Sequence, residues 1–231
     1  MKILHLYHDL MNLYGDYANI SALCRILDTN GIDYTLDKQS LGYELNLSDY
    51  DFVFVGSGTE QNQKLALDHL KNYKDELKEY IDSGKFALFT GNSFEMLGKS
   101  INSFLGEYEG LGIFDFITVE QNKTRNTADA IFKFEGLEKN LVGFINKCSE
   151  TEGIKTPLFT VLRGLGNTNG DNTEGIIFNN FFGTHLTGPI LVKNPHFLKY
   201  IASKLVGEEL TDEAFYYEKK GYEITFKNLK G

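Results

Sequence analysis

The 231-residue sequence has no tryptophan, two cysteines, no Pro/Ser/Gly-rich linker and no long apolar run. Cys24 and Cys148 are too few for a disulfide scaffold or a Cys-rich zinc site, and they fit a reducing compartment. The longest apolar stretches, Phe52–Val55 and Phe86–Phe89, are strand-sized and far short of the ~20 residues that span a bilayer. The opening MKILHLYHDL brings His and Asp soon after one Lys, which does not read as a secretory signal. Basic clusters are also missing. Against 32 Asp+Glu stand 23 Lys+Arg, a formal net charge of −9, so the chain is poorly suited to neutralising nucleic-acid phosphates. The remainder is ordinary for a globular protein: 42% apolar, 13% aromatic and 24% charged, which argues against disorder. The expectation is an acidic cytoplasmic globule with no membrane span.

The first half alternates strand-like and helix-like segments. Lys2–Tyr7 suits a buried strand, and Asp16 can cap a helix over Tyr17–Thr29 with Ile20, Leu23, Cys24 and Leu27 on one face. Asp33–Asp37 and Asp51–Val55 read as strands, Gln63–Ser83 as a helix, Lys85–Phe89 as a strand, and Phe94–Gly98 as the start of another helix. This order predicts an α/β fold: an open, largely parallel sheet with helices on both faces. The second half is β-rich, with short runs at Gly110–Val119, Ala130–Phe134, Leu141–Ile145, Pro157–Leu162 and Gly175–Gly183. Without a linker between the halves, these strands are expected to extend the same sheet. Helical pattern returns at Pro195–Leu205 and Asp212–Glu218, and Tyr222–Leu229 reads as an edge strand or a disordered tail. Residues 1–205 form the expected main unit and 206–231 an appended helix and tail.

Ligands of open α/β sheets sit beyond the carboxyl ends of the strands. That places three segments at a candidate site: His8–Asp16, Gly56–Gln63 and Thr90–Ser93. Gly56-Ser57-Gly58 could offer backbone N–H groups to an anion, or could simply make a turn. Phe86–Gly98 runs from a buried strand through a tight turn, the pattern of a nucleophile elbow, whose central residue is Gly91. That glycine is expected at positive φ. Neither Thr90 nor Ser93 stands where an elbow nucleophile would. His5, His69 and His196 have no metal-ligand spacing with a nearby carboxylate, so no metal is assigned.

Several segments together resemble class I glutamine amidotransferase domains of the cobyric acid synthase type, closest to the glutaminase subunits of lipid II isoglutaminyl synthase. They are His5–Ile20 (HLYHDLMNLYGDYANI), Val55–Gln61 (VGSGTEQ), Glu109–Phe116 (EGLGIFDF), Val142–Phe144 (VGF), Gly164–Asn167 (GLGN) and Gly183–Pro195 (GTHLTGPILVKNP). They run in one order through most of the chain. The resemblance implies the open-sheet fold and a Mur-ligase-like partner that consumes ammonia released from glutamine. It implies no cofactor. It also implies a cysteine at the elbow, which here is Gly91. The His before the late Gly-Pro is Thr187, and the Gln four residues after the Cys is Glu95. The family's oxyanion loop corresponds to Gly56, Ser57 and Gly58. The N–H of Asn92 is the second donor, and Arg125 matches an arginine near the substrate entrance. His185 replaces an aromatic and is expected to pack. Cys24 reads as core, and Cys148 as a free surface thiol in a polar turn away from the elbow.

Four functions are compatible with this sequence. The chain could be a working glutaminase subunit for lipid II amidation, which would require a nucleophile from elsewhere. It could be a glutaminase-silent partner of the ligase, the expectation favoured by the two replaced positions. It could be a small-molecule sensor retaining a glutamine-sized pocket, or an amidotransferase of cobalamin biosynthesis. An apolar interface formed partly by the second-half strands is expected for a partnered subunit.

Overall fold

The computed structural model describes residues 1–104, 106–121 and 125–230. Its central sheet joins β1 (Lys2–Leu6), β2 (Thr35–Gln39), β3 (Phe52–Val55), β4 (Phe86–Thr90), β13 (Ile176–Phe178) and β14 (Phe181–Thr184). The order is β13-β14-β4-β3-β1-β2, with every pair parallel except the β13–β14 hairpin. Period-two alternation sorts its side chains. Ile3, Phe52, Phe54, Phe86 and Leu88 face one core with helices α1 (Tyr17–Thr29), α4 (Ile190–Lys193) and α5 (Pro195–Val206). Leu4, Val53, Val55, Ala87 and Phe89 face the other, with α2 (Glu60–Leu70) and α3 (Lys74–Asp82). The open sheet with helices on both faces follows from this sorting.

The second half departs from the expectation of one continuous sheet. Only β13 and β14 join the central sheet. A four-stranded sheet, β10-β7-β5-β6, comprises β5 (Ser100–Ser103), β6 (Gly106–Glu109), β7 (Ile117–Glu120) and β10 (Ser149–Glu152). A five-stranded sheet, β12-β11-β8-β9-β15, comprises β8 (Asn126–Lys133), β9 (Leu141–Lys147), β11 (Phe159–Arg163), β12 (Thr173–Glu174) and β15 (Leu186–Thr187). Within them β5–β6, β8–β9 and β11–β12 pair as sequence neighbours, whereas β5–β7, β7–β10, β8–β11 and β9–β15 join strands separated along the chain. The five-stranded sheet still shares a core with α5: Phe132 meets Phe159, Phe159 and Phe134 meet Phe197, and Phe134 also meets Phe182.

Local boundaries differ too. The helix expected over Gln63–Ser83 starts earlier, at a Thr59 cap whose hydroxyl accepts the Asn62 N–H, and breaks at Lys71–Tyr73. Gly91–Leu97 is a tight 3-10 turn that leads into β5 and not into a helix. The tail is neither strand nor disorder among the described residues: α6 (Tyr216–Lys230) is a helix. Its only buried residue, Tyr222, donates to the Asn140 carbonyl at 2.8 Å. One buried residue in a 15-residue helix is too sparse a stripe for periodicity to reveal. Among the described residues no helix is long and apolar enough to cross a membrane.

Phe197 is the ring on which the α5 side of the core converges, fully buried and within 6.4 Å, centroid to centroid, of Phe134, Phe159, Phe182 and Tyr200. Phe197→Ala is expected to destabilise the chain by about 3–5 kcal/mol. Urea unfolding should show this as a lowered midpoint at unchanged slope.

Candidate functional site

The site is organised around Asp16, which is fully buried. It does not cap α1 through its side chain. Instead, Asp16 Oδ2 accepts the Ser57 N–H at 2.6 Å, the Ser57 hydroxyl at 2.5 Å and the Thr90 hydroxyl at 3.2 Å. Burial pushes its carboxyl upward in pKa, and these three donors offset part of that push. The sequence reading missed this because helix capping is a local pattern, whereas these donors lie 41 and 74 residues away.

The Gly56–Gly58 loop is thereby clamped. A Cβ on Gly56 would overlap the Met11 carbonyl, so glycine here allows two backbone segments to approach closely. The N–H of Ser57 is committed to Asp16, and that of Gly58 donates to Asn92 Oδ1 at 3.0 Å. Two of the expected oxyanion donors are therefore spent on acceptors within the chain. Gln63 closes the back of the site, donating to the Asn92 carbonyl at 2.6 Å and to Glu95 Oε2 at 2.9 Å.

Gly91 has φ of +63°, the left-handed elbow conformation expected at the end of β4. A Cβ built on it would overlap Ser57 Cβ and lie 3.1 Å from Ser57 Oγ. Ser57 thus fills the space above the elbow. Ser57, Gly58, Gly91, Asn92, Glu95 and Thr187 line one crevice, as the strand order requires. The crevice is partly open to solvent, and the water-sized space left among these residues is about 20 Å³. That accommodates one water-sized molecule.

Behind the crevice lies a buried ionic cluster that the sequence reading did not anticipate. His185 does not merely pack: its Nε2 is 2.7 Å from Glu95 Oε1, and its backbone N–H donates to Glu174 Oε1 at 2.7 Å. Its ring also stands edge-on to Phe94, with centroids 4.6 Å apart. Glu95 further accepts from Ser149 and Gln63, and Glu174 from Thr184 at 2.6 Å. Burial alone would lower the His185 pKa, but its bonds to Glu174 and Glu95 reverse the sign and raise it. Burial likewise raises Glu95, and His185, Ser149 and Gln63 outweigh it, leaving its carboxyl below the ordinary value. Both directions describe a His⁺–carboxylate pair. Glu95 and His185, two positions that differ from the expected pattern, are therefore one interaction.

At the mouth, Arg125 pairs with Glu60. The Asn122–Thr127 segment expected to carry Arg125 is described only from Arg125 onward, since 122–124 lie outside the described residues. Cys148 is buried and lines the same crevice, contrary to the surface placement inferred from its polar neighbours. Burial pushes its thiol up to about 12, helped by Glu60, whose Oε1 lies 3.4 Å from Sγ, and by Glu120. It is a thiol held protonated, the reverse of an activated nucleophile. Thr187 donates to the Phe144 carbonyl at 3.0 Å and offers no base. Tyr14, at φ +59°, hangs over the crevice with its hydroxyl receiving the Asn146 side-chain amide at 2.8 Å. Among the described residues no His/Cys/Asp/Glu group could hold a metal ion.

Comparison with known proteins places this site in context. The CobB/CobQ-like glutamine amidotransferase domain matches residues 2–195. Two curated relatives are GatD subunits of lipid II isoglutaminyl synthase (glutamine-hydrolyzing). That of Staphylococcus aureus strain N315 is 34% identical over 88% of this chain and 84% of its own length. That of Streptococcus pneumoniae strain ATCC BAA-255 / R6 is 32% identical over 84% of this chain and 76% of its own. The fold is shared with a glutamine amidotransferase from Thermotoga maritima, at a TM-score of 0.56 and 11% identity, over 99% of this chain and 94% of that one.

The Glu95–His185 pair should leave a pH signature. Stabilisation from His185 is complete below the ordinary histidine value of 6.5 and is lost as pH rises through its raised pKa. That from Glu95 is present above the ordinary 4.5 and is lost as pH falls through its lowered pKa. The melting-temperature gap between the native chain and Glu95→Gln should therefore be widest between pH 4.5 and 6.5 and narrow on both sides. A calorimetric gap independent of pH would mean that the pair is a neutral hydrogen bond.

Proposed function

The chain belongs to the CobB/CobQ-like glutamine amidotransferase family, and from that premise we propose that it is a glutaminase-silent subunit of a cell-wall amidating assembly. The names of the two curated relatives support amidation of lipid II over cobalamin synthesis. In this reading residues 1–205 are the amidotransferase-like unit and 206–231 an appended segment. The partner is a Mur-ligase-like subunit in the cytoplasm, whose amidation draws on free ammonia or is regulated by this chain.

One observation carries the silent reading: Ser57, pinned by Asp16, stands where an elbow side chain would have to be. Glutaminase chemistry of this family needs a thiolate at the elbow, a base beside it and free oxyanion donors. Gly91 brings no side chain, Thr187 no base, and the N–H groups of Ser57 and Gly58 are already committed. Cys148 shares the crevice, but its thiol stays protonated near neutral pH.

Two measurements test this reading. The purified chain, alone and with its ligase-like partner, should release no ammonia from glutamine above background, and a glutamine-directed alkylator should label neither Cys24 nor Cys148. Turnover or labelling would overturn the proposal. The double substitution Gly91→Cys, Thr187→His should also stay inactive, because the new Cβ collides with Ser57 at a positive φ. It should cost about 1–3 kcal/mol in stability by overpacking, read from denaturant unfolding. Adding Ser57→Gly should recover most of that loss.

A further inference from the structure

The tripeptide Thr-Asn-Gly occurs twice in the chain, at Thr29–Gly31 and at Thr168–Gly170. In an Asn-Gly pair the glycine nitrogen can reach the asparagine side-chain carbonyl, because no Cβ stands in its way. The fold treats the two copies oppositely. Asn30 caps the end of α1 with its side chain tied through both heteroatoms. Its Nδ2 donates to the Ile26 carbonyl at 2.7 Å and the Thr211 carbonyl at 2.9 Å, and Oδ1 accepts the Thr211 N–H at 2.8 Å. The Gly31 N–H is occupied as well, donating to the Asp28 carbonyl at 3.1 Å. Asn169 and Gly170 instead form the tip of the loop between β11 and β12, in a turn closed by the Asp171 N–H on the Thr168 carbonyl at 3.2 Å. Both are exposed. The Asn169 side chain and the Gly170 N–H have no hydrogen-bond partner among the described residues. Apart from the flanking residues, no atom lies within 4 Å of where a Cβ on Gly170 would stand. Asn169 also borders an open recess of about 320 Å³, so water reaches it.

We propose that Asn169 is a self-modification site, where the folded chain loses a side-chain amide by deamidation while the same tripeptide at Asn30 is preserved. The Gly170 nitrogen gives its proton to water and attacks Asn169 Cγ. The new C–N bond closes a cyclic imide. The bond from Cγ to Nδ2 breaks as Nδ2 takes up a proton and leaves as ammonia. Water then adds to either imide carbonyl, whose bond to the ring nitrogen breaks while that nitrogen regains its proton. One opening gives aspartate at position 169, and the other routes the main chain through the former side chain as an isoaspartyl link. Water is the only co-reactant. At Asn30 the same attack requires that the side chain leave Ile26 and Thr211 and that the Gly31 N–H leave Asp28, which ties the reaction to local unfolding. Asn167 and Asn172 of the same loop precede threonine, whose branched Cβ crowds the attacking nitrogen. The Asn169 N–H donates to Glu150 Oε1 at 3.1 Å, so the product carboxylate arises beside an existing one.

The test incubates the full chain in warm, mildly alkaline buffer, folded and, in parallel, unfolded in guanidinium chloride. Incubation continues until the unfolded sample is modified at both tripeptides, which sets the time for the folded one. Peptide mapping by mass spectrometry locates each exchange of amide for acid, and enzymatic methylation of isoaspartyl groups counts the rearranged product. In the folded chain Asn169 should convert at least about tenfold faster than Asn30, which reacts only through local opening. In the unfolded chain, where the tripeptides are equivalent, the two should convert alike. Asn169→Ser, a change at an exposed loop tip, should abolish the product at 169 and leave Asn30 protected. Equal conversion of the two sites in the folded chain, or an intact Asn169 at the end of the incubation, would overturn the proposal.

Discussion

The carboxylate of Asp16 is the constraint on which the rest of the site depends. A buried carboxyl shut off from solvent must find donors within the protein, and here it finds them on the loop after β3 and at the end of β4. In doing so it ties the segment after β1 to the segments after β3 and β4, the three strand ends where an open α/β sheet gathers its ligands. Without that carboxyl the Ser57 N–H and hydroxyl would both lose their acceptor. Ser57 and Thr90 both donate to this single oxygen.

The replaced residues of the crevice fit one another. Ser57 occupies the volume that Gly91 leaves, and His185 satisfies the charge that Glu95 introduces. A buried ion pair adds little net stability over a well-packed apolar pair, but losing one member of it typically costs about 3–5 kcal/mol. Such a pair therefore resists piecemeal change. Glu95, His185, Glu174, Ser149 and Gln63 come from five separate segments, so the cluster also joins the central sheet to the two smaller ones.

The central sheet was legible in the sequence because its strands are buried on both faces and read as unbroken apolar runs, as Phe52–Val55 and Phe86–Phe89 do. The elbow was legible because a strand ending in Thr90-Gly91 admits few turns, and its positive φ followed. The second half was not. Strands such as Ser149–Glu152 and Thr173–Glu174 are polar in sequence yet buried in part, since their side chains serve the ionic cluster. Polar neighbours likewise made Cys148 read as a surface residue, although its strand-end position turns it inward. Asp16 read as a local cap because nothing in a linear pattern announces a partner 74 residues away. Long-range polar satisfaction is the information that periodicity lacks.

The protonated state of Cys148 has a consequence for chemistry under oxidative stress. Peroxides attack thiolates, and a thiol with a pKa of about 12 presents roughly one thiolate in 10⁵ molecules near neutral pH. An elbow cysteine activated for hydrolysis is by design the opposite, a low-pKa sulfur exposed to whatever enters the crevice. With Gly91 at the elbow and Cys148 kept neutral among carboxylates, the site holds no sulfur poised for sulfenic acid formation. Electrophiles that disable a thiol-dependent glutaminase would meet little thiolate in this crevice.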